Sequence, residues 1–259
     1  MVHLSKTAFL TVLLWAAATF CSPLFAAPTD LQLPDGSVAD LRIFPAGGDT
    51  LILWLACDEG HGTWEPKAAQ ALAAGGIEVW LSDLLGAHFL PLAPSSIKQI
   101  SGEEIALLIE HVRTQSGKKK IYLVAAGPAS LLVLRGAIEW QWKHPDNPAL
   151  AGGILLYPEL YAVTPAPGVE AIYAPEVARN PLPLFIYHSQ RSPGRWWLEH
   201  LKVELRKNGQ RVDSLVLPGI RGFFYSRQDA TPEENAMAQR LPELLRDALN
   251  HLQSTGNKP

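Results

Sequence analysis

Lys120, Ile121, Tyr122, Leu123, Val124, Ala125, Ala126, Gly127, Pro128, Ala129, Ser130 is a short β-rich run that ends in small residues where a helix begins. An apolar stretch of this length, closed by Gly and Pro, reads as a strand followed by a sharp turn. Small side chains at the turn let neighbouring backbone pass close by, and Gly127 tolerates backbone angles that other residues resist. Pro128 has no N–H to offer.

The strand and helix pattern repeats on both sides of this turn. Upstream, Leu51 to Ala56 is nearly continuous in apolar residues, as expected for a strand buried on both faces. It opens into the polar loop Cys57, Asp58, Glu59, Gly60, His61, Gly62, Thr63. Thr63 is the expected cap of a helix through Ala74, with Pro66 in its first turn and Gly75 and Gly76 ending it. Ile77 to Leu81 is the next strand, and Ser101 with Glu104 makes a capping-box pair ahead of a helix carrying Ile105, Leu108, Ile109 and Val112. Downstream come a helix over Ala129 to Gly136, strands at Gly152 to Tyr157 and Leu182 to Tyr187, a helix over Trp196 to Lys207 and a strand at Val212 to Leu217. Thr231, Pro232 and Glu234 cap a C-terminal helix that Pro242 should kink or divide.

Strands alternating with helices give the α/β class: a mostly parallel twisted sheet with helices on both faces. Leu31 to Leu33 and Val38 to Phe44, flanking Pro34, Asp35 and Gly36, add an N-terminal hairpin at one edge. Pro158 to Pro181 is a proline-rich excursion with no period, and a loop this long inside a compact domain is expected to fold as a short cap over a site. Function in such sheets sits at the carboxyl ends of the strands.

The 259 residues, 47% of them apolar, suit one domain with a sizeable core. Lys6, the apolar run Ala8 to Phe20 and the small residues Ala26 and Ala27 read as a signal peptide over residues 1–26, leaving a single mature domain over 27–259. The chain is therefore expected to be exported, periplasmic or secreted, with no membrane span after processing. A lipid anchor on Cys21 is disfavoured by bulky Phe20 just before it. Of the 22 basic and 25 acidic residues only Lys6 falls in that segment, so the mature chain carries about −4, and nucleic acid is excluded as a partner. Cys57 is then the single remaining cysteine and has no disulfide partner.

This element order, with its small-residue turn, resembles the α/β-hydrolase superfamily, and most closely its dienelactone-hydrolase and small-esterase branch. The likeness runs from about Leu51 to Leu252. In that family the turn carries the nucleophile as G-x-S-x-G; here the five positions read Ala125, Ala126, Gly127, Pro128, Ala129. The family's acid often lies in H-G-x-x-D-P, against His188, Ser189, Gln190, Arg191, Ser192, Pro193 here. Its base lies in a stretch like P-G-x-H-G-F, against Pro218, Gly219, Ile220, Arg221, Gly222, Phe223. The resemblance thus places Gly127, Ser192 and Arg221 at the nucleophile, acid and base positions. None can do that chemistry: glycine has no nucleophile, serine no charge to hold an imidazolium, and arginine does not give up its proton. The implied function is non-catalytic binding, with no cofactor, of a small ligand or an envelope protein.

An atypical hydrolase is the alternative. Cys57 could replace the serine, with His61 or His88 as base, against the plainer reading of a small buried residue at a strand end. Asp58, Glu59, His61 and His88 are metal-ligand types, but their spacing fits no metal motif and suits a solvated loop equally. For the binding reading, Arg191 and Arg221 would attract carboxylate or phosphate, with His61 and His88 at the same end of the sheet; the plainer reading pairs each arginine with a nearby acid. Trp196 and Trp197 open a helix, one expected to pack and the other to rim the site. Trp140 and Trp142 are either a binding face or core.

Overall fold

The computed structural model describes residues 29–166 and 168–256; the segment read as a signal peptide, with Cys21, lies outside them. The chain begins with β1 (Thr29–Gln32) and β2 (Val38–Phe44), turning through Asp35 and Gly36. Next come β3 (Thr50–Leu55), α1 (Trp64–Ala74), β4 (Glu78–Ser82), the short α2 (Leu84–Ala87) and α3 (Pro94–Ile97), and α4 (Gly102–Ser116). β5 (Lys120–Ala126) leads through a single 3₁₀ turn, Gly127–Ala129, into α5 (Ser130–Lys143) and β6 (Leu150–Leu156). Then follow α6 (Pro175–Ala178), β7 (Leu184–Ser189), a 3₁₀ turn over Pro193–Trp197, α7 (Leu198–Leu205) and β8 (Val212–Leu217). The chain closes with α8 (Pro232–Gln239) and α9 (Leu241–Gly256), broken at Arg240 just ahead of Pro242.

The strands form one sheet in the order β1-β2-β4-β3-β5-β6-β7-β8. The first two strands pair antiparallel at the edge, β2 joins β4 antiparallel, and every later pairing is parallel. β3 and β5 sit in the middle, which explains why their side chains are almost all buried. Two adjacent glycines of β6 show the layering, because consecutive residues of a strand face opposite ways. A Cβ on Gly152 would touch Leu252 of α9, and one on Gly153 would touch Val133 of α5. Helices therefore cover both faces, with α1 packing beside α9 and α4 beside α5.

Two local readings need correction. Thr63 precedes α1 with helical backbone, so its hydroxyl makes no cap bond; the Gly62 N–H donates to Glu65 instead, at 3.0 Å. α5 runs well past Gly136, because that glycine lies against α4: an added Cβ would stand 2.1 Å from Ile105 Cγ2. About one turn later Trp140 is fully buried, whereas Trp142 is 77% exposed. The excursion after β6, expected to fold as a cap, has pairing of its own. Tyr161 and Tyr173 pair as an isolated bridge and stack at 5.7 Å, and Ala162 N–H donates to Ile172 O.

Candidate binding site at the carboxyl ends of the strands

Gly127 follows β5 with φ +51°, a conformation that glycine accepts at little cost. Its carbonyl accepts the N–H of Glu159 at 3.0 Å, tying the turn to the end of β6. The space a side chain would need here is taken: a Cβ on Gly127 would lie 2.5 Å from Cζ of Phe223. Phe223 reaches over the turn from the loop after β8, itself at φ +56°, and its ring meets that of Tyr157 at 4.8 Å. Tyr157 also holds positive φ, +39°, and packs against Phe224 and Tyr225. Burial pushes the Tyr157 and Tyr225 hydroxyls well above the usual phenol range.

The fold brings Gly127, Ser192 and Arg221 to one end of the sheet. Ser192 Oγ accepts the Gly222 N–H at 2.7 Å, stitching the loop after β7 to the loop after β8. Arg221 is held as a structural cation. Its Nε and Nη2 donate to the two oxygens of Glu234, at 2.7 and 2.6 Å, its Nη1 donates to Asp229 at 2.9 Å, and its own N–H donates to Glu234 at 3.0 Å. Glu234 is also the N3 residue of the capping box that starts α8. Arg221 lowers Glu234 to about 2, and Arg227 with Arg221 lowers Asp229 to about 2. The expectation that Arg221 takes a ligand anion is thus corrected: two carboxylates already occupy its donors.

His61 and His88 do not reach this place. His61 Nε2 lies 3.2 Å from Ser82 O at the end of β4, and desolvation lowers its pKa to about 4. His88, beyond α2, sits between Asp35 of the hairpin turn and Glu104 of α4, at 3.0 and 2.7 Å. Neither is a ligand-binding residue of the cleft described below.

The thiol and metal alternative loses its geometry as well. Cys57 is 3% exposed, its Sγ contacts Gly60 O and the Glu59 N–H at 3.4 Å each, and no hydrogen bond joins it to either histidine. Burial pushes its thiol up to about 12, so almost no thiolate exists at neutral pH. Glu59 accepts the Ser226 hydroxyl at 2.7 Å. Asp58, Glu59, His61 and His88 do not converge, and among the described residues no group of three or more such side chains could hold a metal ion.

Beside the filled turn lies an open cleft of about 960 Å³, bounded by the excursion after β6 and the loops after β7 and β8. Tyr161 and Trp197 form one wall, their rings perpendicular at 6.1 Å, and the Tyr173 hydroxyl donates to Trp197 O. Trp196, at 82% exposure, stands at the rim with the Arg195 guanidinium over its ring. His188, at the end of β7, faces the cleft from below, and desolvation lowers its pKa. Sequence reasoning placed Arg191 and the Trp196–Trp197 pair but missed His188, Glu159 and Tyr161 as lining residues. Their signal was positional, since each lies just beyond or at the carboxyl end of a parallel strand.

Comparison with solved structures supports the same class of architecture. Esterase 2 of Thermogutta terrifontis, in a form phosphoramylated by tabun, matches at TM-score 0.62 and 14% identity over 89% of this chain and 96% of its own. A Klebsiella pneumoniae protein assigned as a dienelactone hydrolase matches at 0.57 and 13%, over 83% and 95%. The Francisella virulence factor BioJ matches at 0.55 and 11%, over 85% and 84%. No protein-family model and no curated protein matches the sequence. The chain has an α/β-hydrolase fold, of the kind seen in esterases and dienelactone-hydrolase-like proteins.

Proposed function

We propose that this chain is an exported, non-catalytic binding protein that uses the α/β-hydrolase fold to hold a small ligand beside the turn after β5. The observation that carries the reading is Phe223 standing over Gly127: no side-chain nucleophile is present at that turn, and an aromatic ring fills the space where one would stand. Pro128 removes the N–H that would help to hold an oxyanion, and Arg221 is locked to Glu234 and Asp229. The neighbouring cleft keeps the size and aromatic lining of a ligand site. Export rests on the residue pattern of the first 26 positions, and the absence of a long apolar helix among the described residues is compatible with it.

The mature protein is expected to take no covalent adduct from a fluorophosphonate probe and to hydrolyse p-nitrophenyl acetate no faster than buffer. Intact-mass spectrometry showing one stoichiometric adduct would sink the reading.

A further inference from the structure

We propose that the cleft takes an organic carboxylate with a flat apolar body, the acid group on Arg191 and the body against Trp196, Trp197 and Tyr161; this rests on the small-ligand reading above. Four cations belong to this region, and three are engaged: Arg221 with Glu234 and Asp229, Arg227 with Asp229, and Arg195 over Trp196. Arg191 differs. Its backbone is fixed, because its N–H donates to Ile220 O at 3.0 Å, yet among the described residues its guanidinium makes no hydrogen bond or close ion pair while lining the cleft, and it meets the Glu233 carboxylate only as a longer-range charge. An anchored backbone with unoccupied planar donors suits a carboxylate, which guanidinium binds through two parallel N–H bonds.

The other lining groups narrow the class. The walls are mainly apolar and aromatic, so a bare inorganic anion would leave most of the cleft unfilled. Trp196 is a large apolar surface held in solvent, and covering it would favour binding through a ring face. Glu159, three residues beyond β6, also lines the cleft, its carboxylate without a hydrogen bond or ion pair among the described residues, and partial desolvation raises its pKa. A ligand with one acid group fits this better than one with an acid at each end, because the second charge would meet Glu159.

The test uses isothermal titration calorimetry on the mature protein with three probes that share a ring system: 2-naphthoate, neutral 2-naphthamide and cationic 2-naphthylmethylamine. Naphthoate should bind at least tenfold more tightly than the amide, and the amine should bind most weakly. Arg191→Gln should reduce naphthoate affinity about tenfold and leave the amide unchanged, whereas Trp196→Ala should weaken both. Unchanged circular dichroism and Tm would show that neither exposed substitution alters the fold. If the amide or the amine binds as well as naphthoate, or Arg191→Gln moves both acid and amide equally, the acid proposal is overturned while small-ligand binding stands. If no probe binds and Trp196→Ala changes nothing, the acid proposal fails, and soaking with neutral sugars and amines then decides the cleft reading by itself.

Discussion

At the scale of single residues, Gly127 shows how backbone and packing together exclude a catalytic side chain. A residue other than glycine at φ +51° costs about 1–2 kcal/mol, before any clash with Phe223. The triple variant Gly127→Ser, Ser192→Asp, Arg221→His should therefore hydrolyse p-nitrophenyl acetate no faster than the parent. It adds the side chains but keeps Pro128, keeps the ring over position 127 and leaves buried Glu234 without its guanidinium. Ester turnover by the triple variant that is unaffected by replacing Pro128 with a residue bearing an N–H would show that the turn has been misplaced. Cys57 gives a second expectation at this scale. With its thiol buried and pushed up to about 12, iodoacetamide at pH 8 should leave the native mature protein unmodified and add one adduct after unfolding in urea. Rapid alkylation of the native state would restore the thiol alternative.

At the scale of elements, what could be read from the sequence divides along physical lines. Strands came through as apolar runs, and both capping boxes, Ser101 with Glu104 and Thr231 with Glu234, formed as their spacing implied. Side-chain partners over long separations did not come through, because nothing local marks them. That is why the sequence left Arg221 between an anion site and a pairing with some nearby acid, when Glu234, thirteen positions on, already held it. Glu234 serves both partners, so the start of α8 and the loop after β8 should loosen together. Thr231→Ala is expected to cost about 1 kcal/mol in urea unfolding, the usual loss of an N-cap hydroxyl. Amide exchange in that variant should rise in residues 219–223 as well as in α8; exchange confined to α8 would mean that the two elements are not linked through Glu234.

At the scale of the whole molecule, stability against pH depends on which groups the fold keeps from their usual protonation state. His61 is the clearest case on the basic side of that balance, with its pKa lowered from 6.5 to about 4 by desolvation. Between about 4 and 6.5 the unfolded chain binds a proton there that the folded chain does not, so stability rises with pH in this window and is lost as pH falls through it. Glu234 and Asp229 act lower, because their pKa values are depressed to about 2: their contribution is present above the ordinary carboxylate range and fades as pH falls toward 2. Asp58, Glu65 and Glu159 are shifted upward by burial and oppose the trend, so the total profile alone does not isolate any one group. A difference measurement does. His61→Gln places an amide donor near the position of Nε2, within reach of the Ser82 carbonyl, but removes the titrating ring. Urea unfolding of parent and variant at pH 4, 5, 6.5, 7.5 and 8.5 should therefore show the variant losing less stability between pH 6.5 and 4 than the parent, with the two profiles parallel above pH 7.5. Parallel profiles across the whole range would mean that His61 titrates alike in the folded and unfolded chain.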